Sequence, residues 1–237
     1  MNKVLFSIAF FIAYTIQGVT GFAGNIFAMP VGTHLLGLTG SVAVLNAMGV
    51  FACGLLAFMN LKSVVWRELG KIVGVMLPFL LFGIWLDTVI SLDVLLRVYG
   101  FVVLFVGAYN LLSPRQRFLP IWLQYVVLAL AGVIQGMFVS GGAFLVIYAV
   151  QNLTDKQQFR ATLSMVWAVL NLLYAVIAFQ AGYFTVDAGQ TALLCAPLAV
   201  AATVLGNHLQ KRISQKRFLK IAYVLLLLIG LTLLVTA

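Results

Sequence analysis

Apolar runs of membrane-spanning length follow one another along almost the whole chain, with only short polar loops between them. A transmembrane helix needs about 20 apolar residues to cross a bilayer, and six runs meet this requirement. They cover roughly 42–61, 69–86, 94–112, 160–180, 188–208 and 218–236. Hydrophobic residues make up 64% of the chain and charged residues only 8%, which is more apolar surface than a soluble core buries. The sequence therefore predicts an all-α polytopic membrane protein.

Two further apolar stretches, residues 4–38 and 121–151, are interrupted by glycines. The interruptions lie at Gly18, Gly21 and Gly24 in the first stretch and at Gly136, Gly141 and Gly142 in the second. We predict that each stretch forms two helices joined by a break, with the second helix beginning near Gly24 or Gly142. Together with the six full spans, these pairs give about eight transmembrane segments. The sequence leaves open whether each broken helix pair crosses the membrane fully or enters and leaves by the same membrane face.

The two interrupted stretches also match each other in the order of their residues. Ile16-Gln17-Gly18 recurs as Ile134-Gln135-Gly136, and Gly24 recurs as Gly142 at the same offset. We interpret residues 4–112 and 121–236 as two repeats. The predicted domains are a first transmembrane repeat at 1–112, a cytoplasmic linker at 113–120 and a second repeat at 121–237.

Equivalent loops of the two repeats carry opposite charge. The loop at 61–71 is basic, whereas its counterpart near 181–190 carries only Asp187. In the other pair, the loop at 87–97 is net acidic and its counterpart at 210–220 is basic. Because basic loops face the cytoplasm, the repeats are predicted to have inverted topology, with both termini outside the cytoplasm. The protein is then a multi-pass protein of the cell inner membrane. The basic residues placed inside are Lys62, Arg67, Lys71, Arg115, Arg117, Lys156, Arg160, Lys211, Arg212, Lys216, Arg217 and Lys220.

The glycine breaks are the candidate functional site. A broken helix inside a membrane leaves backbone groups unpaired, so the break persists only beside protein, water or a ligand. Matching breaks in inverted repeats predict a site between the repeats near the midplane, and helix N-termini there favour a small anion. The alternative for each candidate is a hydrogen bond or close packing between helices. The candidate substrate-binding residues are Gln17, Gly18, Thr20, Gly21, Gly24, Asn25, Gln135, Gly136, Ser140, Gly141 and Gly142, with Asn46 and Ser164 at equivalent positions of the two repeats.

The distribution of the remaining polar residues excludes several other functions. All five acidic residues fall in loops or at span ends, which argues against a cationic substrate. The two histidines and two cysteines are too scattered for a metal site, and no phosphate-binding loop motif is present, so no metal or cofactor is expected. The expected partners are the lipid bilayer and a small anionic substrate, without nucleic acid; a homo-oligomer is left open.

The glycine-rich segment from Gln17 to Asn25, continuing to Pro30, resembles the repeated signature of the TauE/SafE sulfite exporter family. The segment from Gly136 to Gly142 is similar, and the sequence departs from the pattern at Asn25 and Tyr148. The resemblance covers essentially the whole chain. It implies export of sulfite, a sulfonate or a related small organic anion across the bacterial cytoplasmic membrane.

Three functions remain as hypotheses beside one another. The leading one is a secondary anion carrier working by alternating access. An anion-selective channel is the alternative, because the same helix N-termini can line a pore. An intramembrane hydrolase would need a base paired with Ser140, and no histidine shows such a pairing. A purely structural role leaves the two matching breaks unexplained.

Overall fold

The computed structural model describes residues 2–86, 119–139 and 141–214, together with isolated positions between 101 and 108 and between 217 and 231. These residues form α-helices and one short 3-10 turn, without any strand among them. The helices in the described part of the chain are α1 (Asn2–Thr20), α2 (Gly24–Leu36), α3 (Leu38–Met59), α4 (Trp66–Leu86), α5 (Ile121–Phe138), α6 (Gly142–Asn152), α7 (Lys156–Gln180) and α8 (Val186–Lys211).

Five of these helices, α1, α3, α4, α7 and α8, are long and apolar enough to cross a membrane. The all-helical, polytopic prediction is therefore confirmed. With 13 and 11 residues, α2 and α6 extend only about 20 and 16 Å at 1.5 Å per residue, short of a hydrocarbon core of about 30 Å. Most of the predicted span at 94–112 and about half of the span at 218–236 lie outside the described residues. The count of eight segments and the inverted arrangement stay predictions.

The chain groups into two compact units by its contacts. Unit 1 comprises Met1–Val73 and Gln157–Arg212, and unit 2 comprises Gly74–Lys156 and Ile213–Ala237. Each unit combines residues from both predicted repeats. The units are defined by contacts and the repeats by sequence, so the predicted domain boundaries at 112 and 121 remain a prediction.

Within unit 1, α1 and α2 form an antiparallel hairpin. The Asn2 side-chain amide donates to the carbonyl of Leu35 at 3.4 Å, which joins the start of α1 to the end of α2. At the same end, the Lys3 ammonium lies 2.6 Å from the carboxylate of Asp187, in the first turn of α8. We call this the Asp187 end of unit 1; the opposite end, where α3 leads into Lys62, is called the basic end.

Close backbone contact holds α1 against α8 farther along the hairpin. A Cβ atom at Gly206 would lie 2.6 Å from the backbone of Gly18 and 2.7 Å from the carbonyl oxygen of Thr15. No side chain fits at that distance, so the helices cross with glycine facing glycine. Small residues commonly permit such crossings between membrane helices, where lipid removes the usual hydrophobic drive for association.

Unit 2 uses the same kind of contact between α4 and α5. A Cβ atom at Gly83 would lie 2.2 Å from the Val133 carbonyl oxygen, and one at Gly136 would lie 2.1 Å from the Leu80 carbonyl oxygen. The short helix α6 is buried at every position from Gly142 to Val150. A helix that is apolar on all sides and enclosed in this way belongs to the interior of its unit.

Candidate functional site

The first glycine break is closed by the side chain of Gln17. The chain leaves α1 after Thr20, turns at Gly21 with φ of 86°, and enters α2 at Gly24, as the sequence predicts. The Gln17 Oε1 atom accepts a hydrogen bond from the Gly24 amide at 2.6 Å, and its Nε2 atom donates to Cys53 Sγ at 2.7 Å. The glutamine thus supplies an acceptor to the first amide of α2, one of the donors that a helix start leaves unpaired. Its role as a substrate contact stays a prediction.

The second break repeats this arrangement inside unit 2. The Gln135 Oε1 atom accepts from the Gly141 amide at 3.1 Å, and α6 begins at Gly142, as the sequence predicts. At the end of α5, Val139 takes the left-handed conformation with φ of 52°. The two glutamines that match in sequence therefore serve matching breaks. Ser140, the remaining candidate of this stretch, lies outside the described residues.

A buried arginine, Arg160, lies directly against the first break. Its side chain is 1% exposed, its Nε atom donates to the Gly18 carbonyl oxygen at 2.7 Å, and its Nη2 atom donates to Asn207 Oδ1 at 2.6 Å. A Cβ atom at Gly21 would lie 3.0 Å from the Arg160 backbone, so the turn needs glycine for space as well as for its positive φ. The break is thus built around this side chain.

The charge of Arg160 is only partly compensated. Buried charges are normally paired with an opposite charge, because removal from water is costly. Both acceptors of Arg160 are neutral oxygens, and the ion pairs of the described residues join Lys3 to Asp187 and Lys71 to Glu68. The Gly18 carbonyl belongs to the last turn of α1, whose negative dipole end offsets about half a charge. A net positive potential remains at the break, which favours an anion.

Arg160 begins a polar stripe along one face of α7. Ser164, Trp167 and Asn171 follow it at intervals of four, seven and eleven residues, and all four are buried. At 3.6 residues per turn these positions fall within an arc of about 60°. The Ser164 hydroxyl donates to the Arg160 carbonyl oxygen at 2.8 Å. The stripe therefore runs from the break toward the middle of α7.

Asparagines on α3 and α2 lie beside the Asn171 end of this stripe. The Asn46 Nδ2 atom on α3 donates to the Asn171 carbonyl oxygen at 3.1 Å. A Cβ atom at Gly49 would lie 2.6 Å from Asn171 Nδ2 and 3.5 Å from Asn25 Nδ2, so the two amides converge on one glycine. In the first turn of α2, Asn25 also accepts from the Tyr14 hydroxyl at 2.7 Å. The predicted residues Asn25 and Asn46 thus share one buried cluster in unit 1.

The remaining candidates of the first stretch have structural contacts. Gly18 faces Gly206 in the helix crossing, and Thr20 donates to the Ile16 carbonyl oxygen at 2.8 Å within its own helix. With 19 residues, α1 is about 28 Å long. The break at its end therefore lies near the basic end of unit 1, whereas the sequence predicts a site near the midplane. A cavity of about 170 Å³ lies at the opposite end, lined by Thr39, Thr185, Asp187 and Thr191 among others.

Sequence reasoning missed Arg160 as a site residue. It placed this residue on the cytoplasmic side, where a loop meets the span at 160–180; the structure instead begins α7 at Lys156 and buries Arg160 in its second turn. The available signal was the spacing of polar residues that follows it on α7. Asn207, its side-chain partner, gave no signal, since the pairing joins residues 47 positions apart.

Several helices long enough to cross a membrane, together with a glycine-broken helix pair that encloses a buried cation, are the features of a polytopic membrane protein. The profile described as Sulfite exporter TauE/SafE matches residues 5–233, and the chain belongs to this family of membrane transporters. A relative from Comamonas testosteroni, named "Probable inner membrane transporter protein TsaS", is 29% identical over 180 residues, or 74% of each chain. No solved structure matches the chain. The resemblance stated from the glycine-rich segments is thereby confirmed.

Proposed function

We propose that this chain is a secondary transporter that exports a small anion by alternating access across the cytoplasmic membrane. Sulfite, an organosulfonate or a related organic anion is the expected substrate. The family carries the name of a sulfite exporter, and the Comamonas relative carries the name of an inner membrane transporter. The observation that carries the proposal is Arg160, a buried cation whose two hydrogen-bond acceptors are both neutral.

The substrate class follows from the charge at the break. A guanidinium has five N–H donors in a planar fork, and the hydrogen bonds to Gly18 and Asn207 use two of them. The donors that are left suit the oxygens of a sulfonate, sulfite or carboxylate, which accept two parallel hydrogen bonds from one arginine. A cation bound at the same place would meet a positive charge that is only partly compensated. The site is therefore expected to discriminate against cations.

The direction of the site follows from the basic loops. Lys62, Arg67 and Lys71 lie at the basic end of unit 1, which the positive-inside rule assigns to the cytoplasm. Arg160 lies four residues after the start of α7, about 6 Å along the helix, near that same end. Arg160 would then receive the anion from the cytoplasm, and Asn2 and the Asp187 end would face outward.

Flux measurements with the purified chain in liposomes test this proposal. We expect saturable movement of sulfite and small sulfonates and no movement of potassium or choline. Gly24→Ala should slow the flux, because its Cβ atom would lie 2.3 Å from Gln17 Oε1 and open the closed break. Gly54→Ala, on α3 with nothing within 4 Å, is the matched control.

Three results would contradict the proposal in different ways. Cation movement or the absence of anion flux would refute anion transport. Flux that fails to saturate and follows only the membrane potential would identify a channel in place of a carrier. Full activity of Gly24→Ala would show that the break is not part of the transport path.

A further inference from the structure

The side chain of Asn207 fixes the direction of the Arg160 guanidinium. Its Oδ1 atom accepts a hydrogen bond from Arg160 Nη2 at 2.6 Å, while the Gly18 carbonyl oxygen accepts from Arg160 Nε at 2.7 Å. Gly206, the residue before Asn207, is in backbone contact with Gly18, so the crossing of α1 and α8 holds both acceptors in place. The guanidinium is thereby anchored through two of its three nitrogens by two packed helices.

The third nitrogen of the guanidinium, Nη1, makes no hydrogen bond to the described residues. An arginine has one N–H group on Nε and two on each terminal nitrogen. With Nε and one N–H of Nη2 in use, both N–H groups of Nη1 and one of Nη2 are left. The two terminal nitrogens form the fork that binds two oxygens of one oxyanion side by side. Asn207 and Gly18 therefore do not use up the anion-binding fork of Arg160.

Asn207 also determines the net charge of the site, because its side chain is neutral. Aspartate has the same shape as asparagine, and a buried charge is normally paired with an opposite charge. The Nδ2 atom of Asn207 donates to no described residue, so the hydrogen bonds in the described part of the chain do not require an amide at this position. An amide differs from a carboxylate here in one respect, which is that it leaves the positive charge of Arg160 in place.

We propose that Asn207 is a specificity-determining residue, which orients Arg160 and, by remaining neutral, keeps the site selective for an anion. The inference rests on the proposed function, since it takes Arg160 as the group that binds the transported anion. Asn207 acts through the direction and the net charge of the guanidinium rather than by touching the substrate. A structural role alone would require only the hydrogen bond to Arg160, which an aspartate makes as well as an asparagine does.

Asn207→Asp and Asn207→Leu separate the two roles, because they change the hydrogen bond and the charge in different ways. Aspartate keeps an acceptor for Arg160 but adds a negative charge, whereas leucine is similar in size and neutral but has no acceptor. Thermal unfolding of the purified protein without anion should rank the variants by hydrogen bonding, with Asn207→Leu below wild type and Asn207→Asp at or above it. Titration with sulfite should rank the two variants in the reverse order.

The sulfite concentration that produces a given rise in unfolding temperature measures the affinity for the anion. Asn207→Asp should raise this concentration at least about tenfold, because its carboxylate offsets the charge that attracts the anion. Asn207→Leu should raise it only about threefold, since the guanidinium loses one anchor but keeps its charge. The matched control is Gln190→Glu, an exposed amide on the same helix that accepts from Lys3 Nζ at 3.3 Å, and it should leave the titration unchanged. Sulfite efflux from proteoliposomes should follow the same order.

The outcomes separate this inference from the proposed function. If Asn207→Asp responds to sulfite as wild type does, the neutrality of this residue has no role, and the inference is refuted while anion transport stands. A larger loss of response in Asn207→Leu than in Asn207→Asp would assign Asn207 a structural role only. Failure of Asn207→Asp to fold would also contradict the inference, which requires aspartate to satisfy Arg160. If sulfite neither stabilises nor crosses with the wild-type chain, the proposed function itself fails.

Discussion

Replacing Arg160 by methionine separates a role in anion binding from a role in holding the fold. Methionine keeps an unbranched side chain that fills the space of the arginine stem but removes the guanidinium. The hydrogen bonds lost are those to the Gly18 carbonyl oxygen at 2.7 Å and to Asn207 Oδ1 at 2.6 Å. Because both partners are neutral, the substitution leaves no buried charge behind.

The expected effect on stability is small because two contributions oppose each other. Leaving the buried Gly18 carbonyl oxygen unpaired costs about 1–3 kcal/mol, and the half-buried Asn207 acceptor costs less. Removing a cation that no carboxylate among the described residues compensates recovers several kcal/mol of desolvation, by the same argument that makes buried ion pairs replaceable by apolar groups. The two nearly cancel, so Arg160→Met is expected to fold. Substrate affinity has no such compensation: losing a hydrogen bond from a charged donor costs about 1.5–3 kcal/mol, or roughly 10- to 100-fold.

Thermal unfolding of the purified protein at increasing anion concentration measures both effects together. We expect wild type and Arg160→Met to unfold at similar temperatures without anion, and only wild type to be stabilised by sulfite or a sulfonate, since a ligand stabilises the state it binds. Arg67→Met, which removes an exposed arginine at the basic end, should behave as wild type. Anion stabilisation of Arg160→Met equal to that of wild type would refute the reasoning.

Three further substitutions test the break and the helix crossing, each followed by thermal unfolding. Gly21→Ala should lower the free energy of unfolding by more than about 1 kcal/mol, because the new Cβ atom lies 3.0 Å from the α7 backbone and the residue keeps a strained positive φ. The control is Gly182→Ala, which shares the positive φ without the contact and should lower it less. Gly206→Ala should disrupt the α1–α8 crossing and lower the free energy of unfolding. Its control, Gly189→Ala, adds a Cβ atom in open space on the same helix and should raise that free energy by up to about 1 kcal/mol. Equal effects of the two substitutions would contradict the crossing. Gln17→Leu should destabilise by about 1–3 kcal/mol through the unpaired amide of α2, and an unchanged unfolding temperature would show that the glutamine does not close the break.

The helices and their breaks were accessible from sequence because they depend on local pattern. The length of an apolar run and the position of a glycine decide where a membrane helix begins and ends, and α2 and α6 begin at the predicted Gly24 and Gly142. The pairing of Gln17 with Gln135 in the sequence match also anticipated two side chains that act alike at their breaks.

The centre of the candidate site was not accessible in this way. A basic residue at the edge of an apolar run is normally a loop residue, and Arg160 departs from that rule because Gly18 and Asn207 supply acceptors from distant parts of the chain. Burial of a charge depends on such partners, which no local pattern encodes. The contact of Gly18 with Gly206 likewise joins residues that only the packing of α1 on α8 brings together.

Exchange of anion across the membrane of proteoliposomes tests the central claim most directly. Vesicles are loaded with labelled sulfite, and its efflux is followed with and without unlabelled sulfite outside. A carrier with one site that alternates between faces predicts faster efflux when external anion is present, with the acceleration lost in Arg160→Met and kept in Arg67→Met. Efflux that ignores the external anion, or acceleration that survives in Arg160→Met, would contradict an alternating anion site at Arg160.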